Sequence, residues 1–146
     1  MTSGDPSGRR RAREAALQML YQWEVGRASA HEAIATYWPA HDAEPPLTDP
    51  LRDFANTLVR GTIDRVREID GLLAAHADNW RVERMAIIDR LVLRLAVYQF
   101  LADPDTPPRV VINEALELAR TYSGEEAVGF VNGVLDSVKK VLRPEP

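Results

Sequence analysis

The sequence predicts an all-α protein of about seven helices arranged in two small bundles. Three observations lead to this prediction. Apolar residues recur at steps of three and four along most of the chain, which is the spacing of helices that bury one face. Prolines and glycines stand between these stretches, where helices end. The sequence shows no convincing alternation of apolar and polar residues, the pattern that would indicate strands.

The first helix follows residues 1–8, MTSGDPSG, which we interpret as a flexible arm because they are small and polar. Gly26 is placed to end this helix. Its apolar residues share one stripe: Ala12, Ala16, Met19, Leu20 and Trp23.

Ser29 and Glu32 are spaced as a capping box, in which each side chain bonds the other residue's backbone amide, and so begin a second helix. Pro39 is expected to stop this helix at about Trp38. The N-terminal helices therefore occupy residues 9–38.

Residues 39–50, PAHDAEPPLTDP, contain four prolines and are predicted to form a linker between two helical halves. The remaining helices then occupy residues 51–146. Thr48 or Asp49 is placed to cap the third helix. Residues 51–80 fit either one long helix or two shorter ones.

Residues 82–101 are apolar on most sides, as expected of a helix in the middle of a bundle. Their polar residues Asp89, Arg90 and Arg94 fall within one arc of the helical wheel. Arg94 is predicted to pair with Glu114 or with an external partner.

The last two helices have candidate caps of their own. Thr106 is placed to cap the first of them, and Ser123 with Glu126 forms a second capping-box pattern before the other. Asn132 and Gly133 lie inside the final helix, where glycine costs about 1 kcal/mol relative to alanine. We interpret this glycine as a close contact with a neighbouring helix, in preference to close approach by a ligand backbone.

The length and composition of the chain exclude several classes of protein. The 146 residues fit one domain and include no cysteine, which excludes disulfide scaffolds, thiol nucleophiles and iron–sulfur clusters. No apolar run is long enough for a transmembrane helix, and the N-terminus lacks the apolar segment of a secretory signal. We expect a cytoplasmic protein without cofactor or metal.

Charge is distributed unevenly along the chain. The net charge is −4, but residues 1–13 hold four arginines against one aspartate, a local charge of +3, so the rest sums to −7. A basic start on an acidic body can hold an anionic polymer at one end. Arginines at a helix N-terminus oppose the helix dipole, so local stability does not explain their position.

Single-stranded RNA is the polymer that this arginine cluster suits best. Guanidinium groups bind phosphates and stack on unpaired bases, and so few residues cannot cover a long duplex groove. On a helical wheel Arg9, Arg10, Arg13 and Tyr21 share one flank, where the tyrosine could stack a base. The alternative is a solvated basic tail.

Catalysis finds little support in the sequence. Three histidines, His31, His41 and His76, follow no metal-ligand spacing and are interpreted as surface residues. Asp103 and Asp105 resemble a carboxylate pair, but the prolines around them favour a turn. An enzyme, such as a hydrolase using these aspartates, is the least favoured class. A DNA-binding helix-turn-helix would need a basic recognition helix, whereas the late helices are acidic or neutral.

Four stretches, taken together, resemble the NusB family of transcription antitermination factors. They are RRRAREAALQMLYQWE (9–24), IDRLVLRLAVYQF (88–100), VVINEALELARTY (110–122) and GFVNGVLDSV (129–138). The resemblance implies an all-helical fold of two bundles and no catalytic activity. It implies binding of single-stranded boxA RNA in ribosomal RNA leader transcripts, together with the small-subunit ribosomal protein NusE. It also implies joining RNA polymerase with other Nus factors, and it allows a homodimer.

The resemblance also assigns residues. Tyr122 and Phe130 would stack bases, and Glu126 would limit RNA affinity. Asp89 would face NusE, with Arg90 beside it. The positions that match the family's RNA-contacting surface are Arg9, Arg10, Arg11, Arg13, Arg94, Tyr122, Glu126 and Phe130.

The resemblance leads to one expectation for mutagenesis and leaves one competing interpretation. Changing Arg9, Arg10 and Arg13 to alanine should leave folding intact and weaken boxA RNA binding about tenfold or more. The competing interpretation is a generic RNA-binding or oligomeric helical adaptor without an antitermination role.

Overall fold

The computed structural model describes residues 6–41, 45–77 and 81–144, and within these ranges it contains seven α-helices, one short 3-10 helix and no strand. The prediction of an all-α protein with about seven helices is confirmed. The α-helices are α1 (Pro6–Glu24), α2 (Ala30–Ala40), α3 (Asp49–Asp64), α4 (Val66–His76), α5 (Ile87–Ala102), α6 (Pro108–Tyr122) and α7 (Glu125–Leu142), and the 3-10 helix is Val82–Arg84.

The chain forms two compact units, Met1–Ile63 and Asp64–Pro146. The first contains α1, α2 and nearly all of α3, and the second contains the remaining helices. The boundary therefore falls at the end of α3. It does not fall in the proline-rich residues 39–50, whose described part belongs to the first unit.

The first unit is built around the alanine-rich face of α1, which packs against α2. Small side chains on this face allow the two helices to approach closely. The buried residues of α1 include Ala12, Ala15, Ala16, Leu17, Met19 and Leu20.

The capping box at the start of α2 is confirmed. Glu32 N donates to Ser29 Oγ at 3.0 Å, and Ser29 N donates to Glu32 Oε1 at 3.1 Å. The backbone hydrogen bond from Ser29 lowers the pKa of the Glu32 carboxyl. This exchange satisfies two amides that the first turn leaves without helical partners.

The ends of α1 differ from the prediction. The helix already begins at Pro6, so residues 6–8 are helical and do not belong to an arm, while residues 1–5 lie outside the described residues. At its other end the left-handed residue is Arg27, with φ 59°, and not Gly26. A side chain at Gly26 is excluded for another reason: its Cβ would lie 2.8 Å from the Gln22 carbonyl oxygen.

The second helix extends beyond its predicted end, and the third ends at Asp64. Pro39 lies in the last turn of α2, which continues to Ala40, because one missing amide donor is tolerated where the helix is already ending. The described residues between 51 and 77 form two helices, not one. The chain breaks at Arg65, whose backbone (φ −107°, ψ 17°) leaves the helical region between α3 and α4.

The second unit is centred on α5, which packs against α4, α6 and α7. Every residue from Leu91 to Val97 is buried, so this helix has no solvent-facing side over two turns. The prediction of a central helix is confirmed, but its start at residue 82 was wrong. Val82–Arg84 is a separate 3-10 turn, and α5 begins at Ile87.

Two predicted caps were wrong. The Thr106 hydroxyl donates to Asp103 Oδ2 at 2.6 Å and closes the turn between α5 and α6, so it does not cap α6. Ser123 ends α6, since its amide donates to the Ala119 carbonyl. The N-cap of α7 is Gly124, with φ 147° and ψ 164°, a backbone region open essentially only to glycine.

The interpretation of Gly133 as a close helix contact was also wrong. It is exposed on α7, and a Cβ added there would meet nothing within 4 Å. Packing within the described residues therefore does not explain why glycine stands at this position.

These glycines provide a matched pair of substitutions. Gly124→Ala is expected to lower the free energy of unfolding by about 2 kcal/mol, because alanine rarely adopts this backbone conformation. Gly133→Ala is expected to raise it by about 0.5–1 kcal/mol, because alanine is the better helix former and the space is open. Urea unfolding followed by circular dichroism measures both. Equal effects of the two substitutions would contradict the assignment of Gly124 as the N-cap.

Candidate nucleic-acid and partner interfaces

The arginines of α1 point in different directions. The guanidinium carbon of Arg9 lies 4.5 Å from the centroid of the Phe54 ring on α3, and that of Arg13 lies 5.3 Å from the same centroid. Arg13 is only 3% exposed, whereas Arg9 is half-buried. One aromatic ring therefore contacts two of the four predicted RNA-binding arginines.

Arg13 thus belongs to the core of the first unit as well as to the basic cluster. The expectation that a triple alanine variant including Arg13 would fold normally needs correction. Removing a side chain this buried deletes its packing together with its charge.

The other two arginines of the run lie away from the Phe54 ring. Arg10 is exposed. Arg11 donates a hydrogen bond from Nη2 to the Pro45 carbonyl and lines a cavity of about 400 Å³ with Glu14, Gln18 and Tyr37 among its other residues. The arginine run therefore includes two side chains at the Phe54 ring, one exposed side chain and one that contacts the segment following α2.

The arginine run lies at the positive end of the α1 dipole, as the sequence predicted. The first turn of α1 contains no acidic residue, so the positive end of the helix dipole has no carboxylate there. Tyr21 is 38% exposed further along the same helix. The result is a helix whose N-terminal half favours an anion.

Arg94 lies in the second unit, where the structure gives it a structural partner. Its Nε and Nη2 donate to Asp70 Oδ1 and Oδ2, both at 2.8 Å, and its side chain is 8% exposed. This bidentate pair anchors α5 to α4, and Arg94 and Asp70 both line a cavity of about 470 Å³.

The aromatic candidates lie near the junction of α6 and α7. Tyr122 is the last residue of α6 and is 36% exposed, and Phe130 is half-buried on α7. Glu126 is exposed in the first turn of α7, where its charge suits the helix dipole. These three residues belong to the second unit, and the arginines of α1 belong to the first.

An ion-pair network that the sequence analysis missed holds this junction. Arg120 Nε donates to Glu125 Oε2 at 2.8 Å, and its Nη1 donates to Glu117. Hydrogen bonding to Glu125, followed by the charge of Glu125 itself, raises the pKa of the Arg120 guanidinium. The three-residue spacing of Glu117 and Arg120 on one helix was the available sequence signal.

The candidate partner-binding residues stand in the first turn of α5. Asp89 is half-buried, and its Oδ1 is buried with no hydrogen-bond partner among the described residues. Arg90 donates from Nη1 to the Val82 carbonyl at 3.4 Å, while its Nε is buried without a hydrogen bond. A cavity of about 470 Å³ lies beside them, lined partly by Arg81, Arg90 and Asp70.

Two of the side chains considered for catalysis or metal binding, Asp103 and His76, form hydrogen bonds within the fold. Asp103 accepts the Thr106 hydroxyl within a turn, as the prolines indicated. His76 is half-buried, and its Nδ1 lies 2.8 Å from Ser137 Oγ, which corrects its interpretation as a surface residue. Among the residues that the structure describes, no cluster of histidine and acidic side chains could hold a metal ion.

Within the described ranges, none of the helices has the length and apolar character needed to span a lipid bilayer.

Over the part of the chain that the structure describes, seven α-helices in two units, with an arginine run on the first helix, define a class of small all-α protein with a basic N-terminal surface. The chain belongs to the NusB family, whose family model matches residues 10–140.

Relatives and solved structures agree with this assignment. The chain is 47% identical to the transcription antitermination protein NusB of Solibacter usitatus, over 96% of this chain and 93% of that protein. It is also 47% identical to the protein of that name from Koribacter versatilis, over 94% and 92%.

Two solved structures share the fold. T. maritima NusB superposes with a TM-score of 0.79 at 33% identity and covers 90% of each chain. A crystal structure of antitermination factors NusB and NusE in complex with dsRNA contains a chain that superposes at 0.82 with 25% identity, over 93% of this chain and 98% of that one.

Proposed function

We propose that this protein is a non-catalytic transcription antitermination factor that binds single-stranded boxA RNA together with ribosomal protein NusE. In this role it joins the elongating RNA polymerase with other Nus factors and supports ribosomal RNA transcription in the cytoplasm. The observation that carries the proposal is the arginine run on α1 of an otherwise acidic chain that belongs to the NusB family.

The RNA side of the proposal rests on α1. Arg9, Arg10 and Arg11 are each at least partly exposed, and guanidinium groups form charge-assisted hydrogen bonds with phosphate. The binding of RNA phosphates releases counterions, so RNA affinity should fall as salt rises. Tyr21 in the first unit, and Tyr122 and Phe130 in the second, offer rings for base stacking.

The partner side rests on the start of α5. A carboxylate oxygen that is buried without a hydrogen bond carries a desolvation penalty. A donor from NusE that reached Asp89 Oδ1 would remove this penalty, so the free protein favours docking at this position. Arg90, which follows Asp89 in the chain and donates from Nη1 to the Val82 carbonyl, would contribute a donor to the same interface.

The proposal is tested by titrating the protein with labelled boxA RNA, a scrambled RNA of equal composition, and duplexes of RNA and DNA. Each titration is run with and without NusE. The duplex RNA is included because the similar complex contains dsRNA. We expect preference for single-stranded boxA, and we expect that preference to grow with NusE, because two ligands on one scaffold share ordering costs.

Other outcomes identify the alternatives. Equal binding to all four nucleic acids would contradict the proposal and indicate a generic basic patch. Preference for duplex RNA would contradict the single-stranded specificity. Binding of NusE that is unchanged by Asp89→Ala, which removes the acceptor oxygen, would remove Asp89 from the partner interface.

A further inference from the structure

We propose that Phe54 is a positioning residue for RNA binding, whose ring holds the Arg9 guanidinium in place for a phosphate. The inference rests on the proposed function, because it concerns how the RNA-contacting arginine is held. It concerns a residue of α3, outside the arginine run and outside the aromatic positions already considered.

The geometry is that of a cation held over an aromatic face. The Arg9 guanidinium carbon is 4.5 Å from the Phe54 centroid, within the range in which the ring's negative face attracts a cation. Such a contact uses the flat face of the guanidinium. Its N–H groups lie in the guanidinium plane, so the ring contact itself uses none of the donors that a phosphate requires.

Arg9 needs a device of this kind because of its position in α1. It stands at the fourth residue of the helix, where a positive charge is repelled by the dipole and no carboxylate occupies the first turn. The ring contact restricts the rotamers of this long, flexible side chain. Ordering it before RNA arrives lowers the entropy lost on binding.

Phe54 contacts Arg13 as well, but the two arginines differ in what they offer. Arg13 is 3% exposed and its guanidinium is farther from the ring centroid, at 5.3 Å. Arg9 is half-buried and closer, so it combines contact with the ring and access to solvent. We therefore propose that Phe54 affects RNA binding through Arg9, whereas Arg13 packs against the ring in the core of the first unit.

The test compares Phe54→Leu, which keeps an apolar side chain but removes the aromatic face, with Phe54→Tyr, which retains the ring. The probe is labelled single-stranded boxA RNA, titrated at several salt concentrations. We expect Phe54→Leu to weaken RNA binding roughly fivefold, the effect of a modest cation–π contact, and Phe54→Tyr to bind like the unmodified protein. Phe100→Leu, which changes a buried ring in the second unit, serves as the control for lowered stability.

A double-mutant cycle identifies the residue through which Phe54 acts. In the Arg9→Ala background, Phe54→Leu should weaken RNA binding by less than about twofold. Effects of independent substitutions add to within about this factor, so a smaller loss than in the unmodified protein shows that the two residues act together. A purely structural role would give the full loss in both backgrounds. Full additivity would therefore overturn the proposal, as would wild-type affinity of Phe54→Leu.

A third measurement covers the case in which Phe54→Leu fails to fold. Fluorinated phenylalanines at position 54 keep the shape of the ring and progressively remove its negative face. RNA affinity should fall stepwise with fluorination, and an unchanged affinity across the series would overturn the proposal. If the unmodified protein showed no preference for boxA RNA at all, the proposed function would fail instead, so the two failures are distinguishable.

Discussion

Asp70→Ala is expected to lower the free energy of unfolding by about 3 kcal/mol, the largest effect on stability that we predict for a single substitution. The substitution leaves Arg94 without its bidentate partner inside a run of seven buried residues. Breaking a buried ion pair costs about 3–5 kcal/mol, and we take the lower end because the Asp70 side chain is 31% exposed, so water reaches the site.

Two further variants separate charge from packing at this site. Arg94→Met in the Asp70→Ala background removes the orphan charge and should recover a large part of the loss. Asp136→Ala is the matched control, because it breaks the exposed pair with Lys140 at 3.2 Å and should cost no more than about 0.5 kcal/mol. Urea unfolding of all three is compared. A loss for Asp70→Ala as small as the control would show that this pair does not stabilise the junction of α4 and α5.

The double variant Arg9→Gln, Arg10→Gln is expected to weaken boxA RNA binding about tenfold or more. Loss of two phosphate contacts should also reduce the slope of log affinity against log salt by about 1.4, since each contact to a single strand contributes about 0.7. Arg13 is left unchanged because it is buried against Phe54, so its removal would confuse loss of binding with loss of folding.

The control for this variant removes the same charge elsewhere. Arg60 and Arg67 are both exposed and lie outside the arginine run, on α3 and α4. Their change to glutamine should alter RNA affinity by less than about twofold, because only long-range screened charge is lost. RNA affinity that falls equally in both double variants would mean that net charge, and not the surface of α1, governs binding.

The existence of the helices and the start of α2 could be predicted from the sequence because they depend on local signals. Apolar spacing identified α1 and α5, and the side chains of Ser29 and Glu32 form the capping box that their spacing indicated. The predicted caps of α6 and α7 were wrong because other local interactions took the place of the expected capping hydrogen bonds. The Thr106 hydroxyl donates to Asp103 in the turn before α6. The N-cap of α7 is Gly124, whose positive φ a serine could adopt only with strain.

The candidate site was predictable in kind but not in arrangement. Residue types and their order along the chain indicated an arginine surface and an acidic partner position. They also indicated the resemblance to the NusB family, which the match of the family model to residues 10–140 confirms. Which arginine is exposed could not be read from a helical wheel, because a wheel contains only one helix. Arg13 is covered by Phe54, a residue 41 positions along the chain.

The sequence by itself determined the all-α class, the separation of a basic start from an acidic body, and the family. These properties depend on residues close together in the chain or on composition. The tertiary structure alone decided that Arg94 is a structural ion-pair partner and that Arg9 and Arg13 share the Phe54 ring. It also decided that, among the described residues, Asp89 has a buried oxygen without a hydrogen bond. Burial and partner choice arise from packing between helices distant in sequence, and periodicity within one helix carries no information about the neighbour that will cover it.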